Sequence, residues 1–162
     1  MRILFLQQQP CVRALKYSVA LRGALPRIAL GLAYQGKTMS GSYGSGYQLF
    51  ERWWNLGEDP AKTLQAAVDE FRPDLIHSHN LPDSLTAIAL ELFAGRVPVV
   101  HDVHDLQSLR RTPYENGFPE PRETLALEQL AIEHCSALVA VSEELLDEIR
   151  GRYRPTAPTL AF

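Results

Sequence analysis

The first fifty residues contain no acidic side chain. Six basic ones stand there, Arg2, Arg13, Lys16, Arg22, Arg27 and Lys37, so this stretch carries a formal +6 while residues 51–162 carry −9. Cysteine is nearly as scarce: Cys11 and Cys135 have no close-spaced partner. That excludes a disulfide framework and a cysteine zinc set, fits a reducing cytoplasm and makes both thiols structural. No apolar run approaches the roughly 20 residues that span a bilayer, and the N-terminus enters a short strand in place of a signal-peptide core. The expectation is a soluble, cytoplasmic protein. Internal repeats and low-complexity linkers are missing too, which excludes a solenoid. The basic residues lack interleaved aromatics, against a nucleic-acid surface. An ordinary solvated face explains such a basic stretch most often; the alternative is peripheral contact with anionic lipid at the inner membrane face, or with a phosphorylated substrate.

The chain does have 46% hydrophobic residues over a length that suits one core. Apolar strand-like runs alternate with helical spacing from the start. "RILFL" predicts a strand and "CVRALKYSVALRG" a helix, then "RIALGLAY" a second strand. Gln35 to Pro60 has no clean period and predicts a long loop packed down by Phe50, Trp53 and Trp54. Asp59 and Pro60 start a helix over "AKTLQAAVDEF". "RPDLIHSHN" predicts a strand, "LPDSLTAIALELFAG" a helix and "VPVVHDVHD" a strand. Leu106 to Arg122, with Pro113, Gly117, Pro119 and Pro121, predicts an irregular excursion. Helix, strand and helix follow in "ETLALEQLAIEHC", "ALVAVS" and "EELLDEIRGRY", with Ser142 as N-cap, and "APTLAF" closes as a strand. This alternation predicts an α/β fold, a single Rossmann-like doubly wound parallel sheet flanked by helices, whose site lies at the carboxyl ends of the strands.

Two strands turn polar at that end. Side chains alternate along a strand, so His77 shares one side with His79, and Asp102 with His104. Ser142 and Glu143 stand at the end of a later strand, where the amides of the next helix favour an anion. The histidines and aspartates, notably His77 and His101, could merely cap strand ends and helix starts. H-x-H with H-D-x-H-D could also supply a metallohydrolase through His77, His79 and His104, although His134, the remaining histidine, falls within a helix. In the third reading one histidine points at an organic substrate or phosphate-bearing donor.

"RPDLIHSHNLPDSLTAIAL", "VPVVHDVHDL" and "LEQLAIEHCSALVAVSEELLDEI" resemble, in this order and spacing, the N-terminal half of the retaining family 4 glycosyltransferases of GT-B fold. The resemblance implies that residues 1–162 are the Rossmann-like acceptor-binding domain of a glycosyltransferase of hexosyltransferase type. A C-terminal donor-binding domain, bearing an E-x7-E pair, would be absent from this chain, and the fragment alone would be inactive. It nominates His104 and Asp105 as catalytic, and His79, Asn80, Asp102, Ser142 and Glu143 as substrate-binding. It implies a nucleotide sugar as co-substrate, no cofactor, no metal and no protein nucleophile. The acceptor would be a glycan, lipid-linked or small-molecule hydroxyl, as in polysaccharide biosynthesis.

One departure stands out. Many members have a glycine pair after the first strand, letting backbone amides approach donor phosphates, whereas here the loop reads "QQQPCVR". Arg13 or Lys16 would substitute by charge. A non-catalytic binding module of the same fold is the alternative function. Trp53 and Trp54 could stack on a sugar, but anchoring is the commoner use of such a pair.

Overall fold

The computed structural model describes residues 1–8, 11–36, 48–109 and 122–162. In chain order the elements are β1 (Arg2–Gln7), α1 (Val12–Ala24), β2 (Ala29–Tyr34), β3 (Arg52–Asn55), α2 (Pro60–Phe71), β4 (Leu75–His79), α3 (Asp83–Phe93), β5 (Val99–Val103), α4 (Arg122–His134), β6 (Ala137–Ala140), α5 (Glu143–Arg152) and β7 (Thr159–Ala161). All strand pairs are parallel, in the order β3-β2-β1-β4-β5-β6-β7. The Rossmann-like reading of the sequence holds. Strands β1 to β3 grow the sheet one way and β4 to β7 the other, so the order reverses between β1 and β4. The carboxyl ends of that pair form the switch-point crevice where such sheets bind ligands.

Period-two alternation divides β1 between two cores. Leu4 and Leu6 pack with Leu64, Phe71, Leu85 and Phe93 beneath α2 and α3, while Ile3 and Phe5 pack with Ala14, Leu30, Leu32 and Tyr34 beneath α1. Each fully buried Leu or Phe contributes about 1.5–3 kcal/mol through removal from water. A third cluster, with Val103, Ile132, Leu138, Leu146 and Ile149, joins α4 and α5 to the far strands. Gly31 permits the close docking of α2 on β2. A Cβ there would stand 3.1 Å from the Phe71 ring and 3.2 Å from Leu4.

The helix starts follow their local signals. The Asp59 side chain accepts from the Lys62 amide at 3.1 Å with Pro60 in the first turn, and Ser142 accepts from the Leu145 amide at 3.2 Å. One expectation needs correction: Gln35 to Pro60 is not wholly a loop. Arg52–Asn55 forms edge strand β3, with Trp53 opposite Leu32 and Trp54 opposite Ala33. Tryptophan suits a pleated surface, and the glycine-rich approach to a four-residue strand concealed its alternation. Trp54 anchors on Phe71 at 5.8 Å and donates to Glu70 at 3.1 Å. After β5 the segment makes a short 3₁₀ turn, Gln107–Leu109, and the rest of the predicted excursion lies outside the described residues. No helix among the described residues is long and apolar enough to cross a membrane.

Candidate functional site

The pleat turns His77 and His79 of β4 and Asp102 of β5 toward α1, with His79 registered opposite Asp102. Asp102 is fully buried and is the hub of the site. His77 Nε2 donates to Asp102 Oδ2 at 3.2 Å. From α1, Arg13 Nε donates to the same oxygen at 3.2 Å, and its Nη2 lies 2.9 Å from Oδ1. His104, just beyond β5, lies 4.0 Å from Oδ1 through Nε2, which is also 3.3 Å from His79 Nδ1. Three imidazoles and one guanidinium therefore surround one carboxylate. Burying that charge would be very costly without such partners.

Aromatic packing holds the imidazoles in place. The rings of His77 and His79 stack at 5.0 Å, Phe5 stacks on His77 at 5.1 Å, and Tyr17 closes over His77 at 5.2 Å. Arg13 and Tyr17 are four apart on α1, hence on one face of the helix. Arg13 Nη2 donates to the Tyr17 hydroxyl at 3.1 Å. Burial and the Asp102 charge push the Tyr17 hydroxyl up to about 12, so it stays a neutral phenol.

The electrostatics follow from burial and pairing. Burial alone would raise the Asp102 carboxyl, but the His77 hydrogen bond and the charges of His79, His77 and Arg13 hold it well below the usual carboxylate range. Burial, then His77, hold His79 well below the ordinary histidine value. Burial also lowers His104, with Asp102 offsetting part of the effect. His104 is 30% exposed, the most open of the three imidazoles, against 11% for His77 and 2% for His79.

His104 opens into a cleft of about 140 Å³, lined also by Gln7, Gln8, Cys11, His79, Asn80 and Leu81. Asn80 fixes the residues beside it: its Oδ1 accepts from the His104 amide at 3.0 Å, and its Nδ2 donates to the Asp105 carbonyl. The structure thus brings His79, His104, Asn80, Asp102 and Arg13 together and ties Asp105 to them through its backbone. His101 points the opposite way. It is fully buried, with Nδ1 3.1 Å from the Thr86 hydroxyl and Nε2 3.2 Å from Asp83, a structural cluster on the α3 side. Ser142 caps α5 at the same edge of the sheet as the cleft, Glu143 is exposed beside it, and Lys16 is exposed on α1. Burial raises the Cys135 thiol to about 11, as suits a structural thiol.

His77, His79 and Asp102 also carry potential ligand atoms within 4.8 Å of one another, close enough to share a metal ion. The fit is poor. Arg13 already covers both Asp102 oxygens, placing a fixed positive charge where a cation would have to bind.

The model of Glycosyltransferase Family 4 matches residues 42–159, most of the chain and all of β3 to β6. The chain belongs to Glycosyltransferase Family 4. No curated protein matches the sequence. Among solved structures, family 4 shares its fold here with sucrose-phosphate synthase from Thermosynechococcus elongatus, at TM-score 0.67 and 10% identity over 99% of this chain and 47% of that one. Anabaena HepE, solved in complex with UDP, matches at TM-score 0.62 and 20% identity over 99% and 43%. The UDP-GlcNAc 2-epimerase of Neisseria meningitidis, bound to UDP-GlcNAc, matches at 0.64 and 14% over 99% and 45%. The chain spans less than half the length of each. These likenesses establish the GT-B type of Rossmann-like domain. Within this family 4 domain, three residues of the site hold roles that no sequence motif marks. Tyr17 looks like any helix aromatic, Gln7 is a single polar residue ending an apolar strand, and Cys11 carries no motif.

Proposed function

We propose that residues 1–162 are the acceptor-side domain of a retaining, hexosyltransferase-type enzyme. It would pass a sugar from a nucleotide-sugar co-substrate to a hydroxyl of a glycan, lipid-linked or small-molecule acceptor, with a separate donor-binding domain or subunit closing the cleft. The reading invokes no resident cofactor. The observation that carries it is the partly exposed imidazole of His104, backed by a buried carboxylate and opening on a cleft at the switch point. Transfer requires an acceptor oxygen held against an anomeric carbon while charge on the departing diphosphate is stabilised. A neutral His104 can exchange a hydrogen bond with a sugar or acceptor hydroxyl, and Asp102 steadies any positive charge that develops on it. Asn80 is the positioning residue for that imidazole, and Asp105, whose carbonyl accepts from Asn80, is the second candidate catalytic residue. His79 supports His104 from behind. Ser142 and Glu143, at the head of α5, would face the incoming donor. Lys16 is the exposed cation available to a donor phosphate, since Arg13 is engaged by Asp102.

The test is His104→Ala in the native protein that carries this chain. Sugar transfer should fall at least tenfold in kcat/KM, about 1.4 kcal/mol of transition-state stabilisation, with the circular dichroism spectrum unchanged. Unaltered transfer would make this domain a binding module that does no chemistry.

A further inference from the structure

Two nitrogens at the switch point are buried and have no hydrogen-bond partner among the described residues: Gln7 Nε2 and His79 Nε2. Their side chains are 3% and 2% exposed, and both line the cleft onto which His104 opens. Leaving a buried polar atom unpaired costs about 1–3 kcal/mol, so a pair of them beside one cleft marks a place where a ligand supplies the partners. The rest of each side chain is already held. Cys11 Sγ lies 3.5 Å from Gln7 Oε1 and donates to it, which fixes the amide so that Nε2 is the free end. His79 Nδ1 is taken up by His104.

We propose that Gln7 and His79 together bind an uncharged hydroxyl group of a sugar or polyol, and that Gln7 is a specificity-determining residue which selects such a ligand over a phosphate. The proposal deepens the transferase reading and rests on it for the ligand's place in the reaction. Its chemistry comes from the donor and acceptor inventory. Gln7 Nε2 only donates. His79 Nε2 donates or accepts according to which way the proton lies between His79 Nδ1 and His104 Nε2. A hydroxyl, donor and acceptor in one atom, satisfies both nitrogens in either arrangement, whereas an ionised phosphate oxygen accepts only. Charge points the same way. The cationic side chain nearest the cluster, Arg13, is neutralised by Asp102, and no Lys or Arg lines the cleft among the described residues. A phosphate there would be desolvated without a counter-charge.

The full chain, labelled with nitrogen-15, should be titrated with D-glucose, D-galactose, D-mannose and N-acetyl-D-glucosamine, and separately with inorganic phosphate, each to about 0.1 M, well above the millimolar range expected of a weak fragment. The expected result is that at least one sugar moves the Gln7 side-chain amide and the His79 and His104 ring nitrogens, while phosphate moves none of them. Gln7→Leu and Gln7→Glu should each weaken the response about tenfold or more, with the remaining backbone spectrum superposable on the parent. If phosphate moves these resonances and the sugars do not, or if no sugar moves them, the proposal is wrong. Should neither variant fold, the parent titration still decides. Sugar binding at Gln7 without sugar transfer by the native protein would sink the transferase reading alone, and transfer without a sugar response at Gln7 would sink this one alone.

Discussion

At the scale of single residues, the site is a charge problem solved by proximity. Asp102 is kept ionised although fully buried, and the solution makes each partner hard to remove. Arg13→Met should cost about 2–4 kcal/mol in denaturant-derived stability, because it strips the carboxylate of a two-point contact and leaves it buried beside His77. A loss below 0.5 kcal/mol, the size of a surface ion pair, would show that water reaches Asp102 after all. The histidines act on pH in the opposite sense from an ordinary salt-bridged imidazole. His79 and His104 titrate lower in the folded chain than the ordinary value of about 6.5. The unfolded chain therefore binds more protons below that value, so stability is full above about pH 6.5 and falls as the pH drops through the interval down to the folded values. Each group contributes a slope approaching about 1.4 kcal/mol per pH unit within its interval. Urea denaturation from pH 7.5 to 5 should show that decline, and His79→Gln should flatten it.

At the scale of elements, the strand ends were legible and their partners were not. Period two places His77 with His79 and Asp102 with His104; the register sets His79 opposite Asp102, and His104, just beyond β5, reaches the same cluster through its ring. The same rule sends His101 to the opposite face, yet periodicity alone cannot say which face α1 covers. The Arg13 to Asp102 contact joins residues 89 positions apart, and no local pattern records it. Gln7 was hidden for the same reason, since its meaning depends on β1 lying next to β4. Glu128 was hidden by its helix, where it reads as one more charged residue. In fact it is buried, accepts from the Gln107 and Ser108 amides and from the Tyr153 hydroxyl, and so fastens the segment leaving β5 onto α4. Tyr153 is raised to about 12 by burial and by this carboxylate. Glu128→Leu orphans two amides and a phenol at once. It should cost about 2–3 kcal/mol, and hydrogen exchange at Gln107 and Ser108 should accelerate more than at any amide of β1. Equal acceleration throughout the sheet would mean that Glu128 serves global stability and not this one connection.

At the scale of the whole molecule, the uneven charge is the feature most open to misreading. Six basic residues without one acid look like a surface made for anionic lipid. The fold spends much of that charge inward. Arg13 is neutralised by Asp102, and the partly buried Arg22 donates to the Leu49 carbonyl at 2.9 Å. Lys37 lies outside the described residues. Arg2, Lys16 and Arg27 are left as exposed cations, Arg2 lying over the Phe71 ring at 4.5 Å, and the surface near Lys16 on α1 is shared with exposed Val12 and Val19. A basic residue at an anionic membrane surface contributes about 1 kcal/mol. Three of them predict a preference for anionic over neutral vesicles of roughly 150-fold at most, disappearing in 1 M salt, where screening acts within about 3 Å. Six acting together would give a preference of several thousandfold or more. Cosedimentation of the chain with vesicles of both kinds measures the difference directly, and Arg2→Gln, Lys16→Gln and Arg27→Gln together should abolish whatever preference is found. A preference in the thousands that survives this triple substitution would mean that Arg13 and Arg22 leave their internal partners at the membrane, and that the Asp102 cluster opens when the protein binds lipid.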